Sequence, residues 1–334
     1  MNEAQVISVD SYIKELERFG ISFTNTSTEY ARNFLTANTY YQKLKSYLGR
    51  TPEEGEFAGL DFMDLVELSK IDFSLSRQVL TLALSIEHAL KIQIWHLVES
   101  EEPDFLQKCI DQIDRYRSEQ ESFSGREVQT SDYSRTYLNA PSKQDTDLKV
   151  SDCELWELLE SLSFGELIQL YQAAVKVGKC TESINYHYLK RIQELRNAAS
   201  HENCLLARTS ETGDKTKTGT LIKSCHIDRI FPSCLHSPSD HHQSTEEEQQ
   251  ELSRLFLHDF CILLHVHNRL VESTGMKKHA VCELSDLSKR IKKRQENFKT
   301  QSCQFMSEIN ATLTGIQEAI EQFISSAQIP LDDC

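Results

Sequence analysis

Residues 60–99 read LDFMDLVELSKIDFSLSRQVLTLALSIEHALKIQIWHLVE, with neither Gly nor Pro in the run. Val79, Leu82, Leu84, Ile86, Leu90, Ile94, Leu97 and Val98 cover more than one face at helical spacing, so several partners must pack around this segment. The same window carries Ser85, Glu87, His88, Lys91, Gln93 and His96. That polar content makes it a buried core helix and not a membrane span. Asp72 marks the point where the pattern predicts two helices to meet.

Outward from this core the pattern stays helical. Only 11 Gly and 6 Pro occur in 334 residues, and long stretches without breakers favour helices over a strand-and-turn architecture. The start, to about residue 20, reads as one amphipathic helix. Thr24 to Ser27 (TNTS) is a polar break with capping chemistry, followed by a helix over 29–48 and a loop over 49–59. A helix after Pro103 runs to about Arg117. Further helices are expected over 151–161, 164–177, 184–206 and 250–273. The tracts 118–149 and 209–249 are polar and read as loops or insertions.

The last segment, 281–327, is one long helix or a helical hairpin. Phe298, Ser302, Phe305, Ile309, Thr312, Ile316, Ala319 and Phe323 alternate steps of four and three, an imperfect heptad seam. The seam packs either on the body of the same chain or on a second copy. The expected fold class is therefore all-α. Its organisation is an N-terminal helix over 1–28, a helical domain over 29–273, and a C-terminal segment over 274–334, basic first and heptad-like after.

No basic leader followed by an apolar core is visible at the start, and the ten cysteines are scattered without a CxxC pair. The expectation is a cytoplasmic protein with reduced thiols. Neither GxxxxGK[ST] nor GxGxxG occurs, which leaves nucleotide hydrolysis and dinucleotide binding without support. Cys225-His226, Cys234-x-His236 and His241-His242 lack the close pairing of zinc ligands; no metal and no cofactor is expected. Net charge is −15, the opposite of a typical nucleic-acid binder. A local basic surface can coexist with that sum. Between 276 and 300, eight cationic residues stand against three acidic ones. Lys289, Arg290, Lys292, Lys293 and Arg294 form its centre, a stretch that either grips an RNA backbone or is a solvated helix face.

The stretch that carries chemistry is YLKRIQELRNAASHEN, residues 188–203. Arg196-Asn197 followed by His201 is an R-N-x3-H pattern. Asn197 and His201, at i and i+4, share a helical face, and the long Arg196 side chain can reach the same pocket. Leu189, Ile192, Leu195 and Ala199 would anchor the helix. An imidazole with a pKa near 6.5 can take the proton of an RNA 2′-hydroxyl or protonate a 5′-oxygen leaving group. A guanidinium offers a permanent cation and a planar donor fork to the charge on the phosphorus. Asn197 can orient the imidazole or donate to phosphate. The same residues also fit a plain helix C-terminus capped by His201 and Asn203.

The segment LRNAASHE resembles the R-N-x3-H signature of the Abi-like abortive-infection (phage-resistance) family within the HEPN superfamily. Further motifs are similar in the same order. They are Tyr40-Tyr41-x2-Leu44-x2-Tyr47; Leu68-x3-Asp72 onward through Arg77 and Ile86-Glu87; and Trp156-x2-Leu159-Glu160-x-Leu162-Ser163-Phe164-Gly165-x-Leu167-x2-Leu170-Tyr171. The resemblance covers roughly residues 28 to 270. Where the family commonly has a second histidine and then an Arg, this chain has Glu202 and Asn203-Cys204-Leu205.

The resemblance implies a HEPN-like helical bundle, to which this chain adds extra N-terminal helices and a long C-terminal helical arm. It also implies a metal-independent endoribonuclease with Arg196, His201 and Asn197 in the site, dimerising through the motif-bearing helix. Glu87 and Glu202 are candidate supporting residues. Lys190 and Arg191, with the 289–294 cations, are candidate RNA contacts. RNA is thus the expected partner, as substrate or as a bound small non-coding RNA. The alternative is a non-catalytic RNA-binding module of the same fold.

Overall fold

The computed structural model describes residues 8–38, 41–49, 52–116, 123–125, 150, 154–180, 184–207, 251–298 and 304–329. Among these the elements are helical. They run α1 (Val9–Arg18), α2 (Thr28–Asn38), α3 (Tyr41–Leu48), α4 (Phe62–Glu99), α5 (Phe105–Tyr116), α6 (Leu155–Ser161), α7 (Phe164–Val177), α8 (Tyr186–Ser200), α9 (Glu251–Leu270), α10 (Thr274–Phe298) and α11 (Gln304–Ala327). The only β pairing among the described residues is the isolated bridge between Ser22 and Asp61. The chain is all-α, as its scarcity of breakers implied. No described helix is long and apolar enough to cross a membrane.

Two expectations about elements change. Residues 62–99 form one uninterrupted 38-residue helix, not two meeting near Asp72. That carboxylate is fully buried and finds its partners on other segments, so it interrupts nothing. The segment 29–48 forms α2 and α3, two helices in place of one.

The chain divides into two compact units. The first comprises residues 1–82, 195–268 and 273–334; the second comprises 83–194 and 269–272. In the first, Asp61 caps α4. Its Oδ1 accepts from Met63 N–H at 3.0 Å while Asp64 Oδ2 accepts from Asp61 N–H at 2.8 Å, a reciprocal box. Its Oδ2 also accepts from the Thr24 and Asn25 amides at 2.9 and 3.1 Å, which wraps the TNTS turn onto the helix start. Ser27 Oγ accepts from Tyr30 N–H at 3.1 Å, so the capping chemistry of that turn also starts α2.

In the same unit, α10 and α11 form an antiparallel hairpin. Gln295 donates to the Asn310 carbonyl at 3.1 Å, and Gln317 donates to the Ser288 carbonyl at 3.3 Å. Of the heptad positions, Phe305, Ile309, Thr312, Ile316, Ala319 and Phe323 are all buried within the chain itself. Phe305 meets Phe57 edge-on at 5.4 Å, and Phe323 meets His267 at 5.6 Å. The seam therefore packs on the body of the same chain and is not a free dimerisation arm. His258 and His267 are both core residues.

In the second unit, α5 packs on α7. Ser163 caps α7 in a box with Glu166. At Gly165 an added Cβ would meet only the end of the flexible Gln193 side chain on α8. Cys109, Cys180, Cys204 and Cys261 are free. Cys282 is disulfide-bonded, which departs from the expectation of reduced thiols throughout. The tract 209–249 with its Cys/His stretch lies outside the described residues, as does 118–149 apart from 123–125.

Candidate active site

Helix α8 brings the R-N-x3-H residues to its C-terminal end. Asn185 Oδ1 accepts from His187 N–H at 2.9 Å, and the Tyr171 hydroxyl accepts from Ile184 N–H at 3.2 Å, which fixes where the helix begins. Leu189, Ile192, Leu195 and Ala199 are buried, the anchoring face their spacing predicted. Arg196 is half-buried, while Asn197 and His201 are exposed. Arg196 Nη1 donates to Asn197 Oδ1 at 3.3 Å. The His201 imidazole has no hydrogen-bond or ion-pair partner among the described residues.

The helix ends in a Schellman arrangement. Glu202 N–H donates to the Ala199 carbonyl at 3.2 Å, and Asn203 N–H donates to the Ala198 carbonyl at 2.9 Å. Glu202 holds φ +54, the left-handed region where Gly or Asn is usual. The expected cap at this helix end is thus real but is made by backbone, with the strain on Glu202 and the imidazole left free. Glu202 itself is exposed.

Beyond the cap, the turn is held by one buried carboxylate. Asp72 Oδ1 accepts from the Leu205 and Leu206 amides, both at 2.9 Å, and Lys43 Nζ lies 2.9 Å from Asp72 Oδ2. Burial pushes the Asp72 carboxyl up, and the Lys43 charge and the two amides pull it back. Burial also pushes the Cys204 thiol up, with the Asp72 charge adding to the effect. The turn after His201 therefore hangs on α3 and α4 through a cluster that only the folded chain assembles. The sequence named Asp72 as a place where helices meet, not as the clamp on residues 205 and 206. Its partners lie 29 residues before it and more than 130 after, beyond any local pattern.

The other predicted site residues are dispersed. Glu87 is half-buried on the part of α4 that belongs to the second unit, and it is already engaged in an interaction. Lys190 donates to Gln193 Oε1 at 2.9 Å, and Arg191 pairs with Glu194 at 2.6 Å. Both cations are thus partnered on their own helix. On α10, Lys289 pairs with Asp286 at 3.1 Å, Lys292 and Lys293 are exposed, and Arg294 pairs with Glu67. Arg290 is exposed, with no partner among the described residues.

A cleft of about 420 Å³ lies in the first unit, where Arg290 and Arg294 of α10 face α2 and α4. Its lining includes Phe34, Asn38, Lys70 and Phe73. Phe73 is 39% exposed although it sits on the longest core helix. Sequence reading found the cations of this cleft but not its aromatic side, which comes from helices more than 200 residues away. Among the described residues, no group of three His, Cys, Asp or Glu is placed to hold a metal ion.

The fold and site define an all-helical protein whose buried-face helix ends in a half-buried Arg196 and exposed Asn197 and His201. The family model described as Abi-like protein matches residues 33–207, and the chain belongs to that family. The match takes in α3, α4, the capping box of α7, and the motif to the Asp72-held turn. No curated protein and no solved structure matches the chain.

Proposed function

We propose that this chain is a metal-independent endoribonuclease of the HEPN type that acts in abortive-infection phage defence. Family membership supports the setting in defence against phage. The observation that carries the chemistry is the exposed, unpartnered imidazole of His201 one helical turn from Asn197 and Arg196. A free imidazole at a helix end can approach an RNA strand; a buried one could not.

In the proposed reaction His201 takes the proton of a 2′-hydroxyl, and the 2′-oxygen forms a bond to the adjacent phosphorus. The bond from phosphorus to the 5′-oxygen breaks, and that oxygen leaves with a proton from a second imidazole. Arg196 carries the added negative charge on the phosphoryl oxygens. Asn197, already in contact with Arg196, orients the pair or donates to phosphate. A homodimer through α8 would supply the second imidazole and guanidinium, and the products are a 2′,3′-cyclic phosphate and a 5′-hydroxyl.

A second reading, a non-catalytic RNA-binding member assembled with a small RNA or a partner protein, is favoured by one observation. No described residue orients the imidazole. Expression of the wild type beside Arg196→Ala and His201→Ala in growing cells separates the two. Under the nuclease reading both variants lose toxicity while circular dichroism stays that of the wild type. Full toxicity in either variant rejects it.

A further inference from the structure

We infer that the cleft between α2, α4 and α10 is a binding site for a nucleotide unit, a phosphate carrying a base. This rests on the RNA reading above and deepens it by naming where a strand is gripped and by what chemistry.

Three features of the cleft point to such a ligand. Its lining contains Lys70, Arg290 and Arg294 and no acidic side chain. Glu67, beside the cleft, is shared by Lys70 at 2.6 Å and by Arg294, while the Arg290 guanidinium is unpaired among the described residues. In a chain of net charge −15, an unpaired guanidinium in a concave site is a strong preference for an anion, and its planar fork suits phosphate.

The second feature is aromatic. Phe73 is 39% exposed in the lining beside Phe34. The Phe34 ring is held edge-on to Phe62 at 5.9 Å, and the Arg77 guanidinium lies 5.3 Å from the Phe73 ring centroid. Rings steadied in this way give a base a surface to stack on without sequence preference. A simple anion site would gain nothing from them. Asn38 is also in the lining, and its side-chain amide donates to the Phe34 carbonyl at 2.9 Å.

The third feature is its support. Asp72, which clamps the amides after His201, and Phe73, which lines the cleft, are consecutive residues of α4. The cleft and the motif-bearing turn therefore hang on one helix, on the order of its 10–12 Å width apart.

The test uses the full chain and a fluorescent single-stranded 2′-O-methyl RNA, which cannot be cleaved by 2′-hydroxyl attack. Binding is thereby independent of catalysis. Variants are Phe73→Ala, Arg290→Glu and, as a charge reversal at an exposed helix position outside the cleft, Lys14→Glu. Anisotropy titrations at fixed salt should show affinity falling about tenfold for Phe73→Ala. Arg290→Glu should lose at least as much and Lys14→Glu under about threefold, with thermal melts unchanged.

Titration with AMP and with inorganic phosphate separates the sources. Competition by AMP and not by phosphate assigns the site to the nucleotide unit. No binding of either RNA or AMP, an unaffected Phe73→Ala, or equal losses for Arg290→Glu and Lys14→Glu would overturn the inference. Cleavage of ordinary RNA measured alongside keeps the two proposals apart. A wild type that binds and does not cleave sinks the nuclease and leaves the cleft. Cleft variants that bind and cleave like the wild type sink the cleft and leave the nuclease.

Discussion

The C-terminal hairpin and the end of α8 are held by opposite means. In α10 and α11 the contact is spread over many apolar side chains, with Ile316, Leu313, Ala319 and Ile320 fully buried. At the end of α8 the chain leaves the core after Ala199, turns through a strained Glu202, and is caught by two amides on Asp72. A distributed contact tolerates the loss of any one member better than a polar clamp does, because an orphaned buried charge retains its desolvation cost. The proposed chemistry sits on the second kind of structure, where exposed polar groups must be fixed without being buried.

That contrast can be broken or sharpened by substitution. Asp72→Ala leaves Lys43 without its buried counter-charge and two amides without acceptors, and should cost about 3–5 kcal/mol of stability. Ile316→Ala, which removes only apolar contact from the hairpin, should cost about 2–4 kcal/mol. Urea denaturation of the two variants compares them directly. An Asp72→Ala loss smaller than that of Ile316→Ala would contradict the idea that the motif turn depends on a single carboxylate.

A pH dependence comes from His267 of α9, which packs on Phe323 of the hairpin. Burial holds the His267 imidazole down at about 4, with the Lys277 charge adding to the effect. Both ring nitrogens lack a hydrogen-bond partner among the described residues. The unfolded chain takes up this proton near pH 6.5 and the folded chain only near 4. Stability from this group is thus complete above 6.5 and lost as pH falls between those values. The loss should reach roughly 3 kcal/mol, and His267→Leu should flatten the melting profile over pH 4–6.5.

The smallest effect is expected at Glu202, where Glu202→Gly relieves a left-handed backbone. It should raise stability by about 0.5–1 kcal/mol in a thermal melt. A decrease would mean that the Glu202 side chain contributes more than its exposed position suggests.

Most of this fold was legible in the sequence, and the limits have physical causes. Breaker scarcity and helical spacing carry the all-α class, the buried face of α8 and the heptad positions of α11. The break expected at Asp72 was wrong because a charged residue in an apolar run looks like an interruption. Here it is a buried ligand for groups brought from far along the chain. The R-N-x3-H spacing located Arg196, Asn197 and His201, but nothing local reveals that Glu202 takes the conformation usually reserved for Gly. Basic composition pointed to 289–294. It could not say that Arg290 and Arg294 face a cleft while Lys289 pairs with Asp286, nor that Phe34 and Phe73 would complete that cleft.

The central claim is tested most directly by incubating end-labelled single-stranded RNA with the purified full chain in EDTA, wild type beside His201→Ala. The account predicts cleavage by the wild type to fragments ending in a 2′,3′-cyclic phosphate, and a rate lower by about 100- to 10,000-fold in the variant. Equal cleavage by both proteins, or none by the wild type, would contradict it.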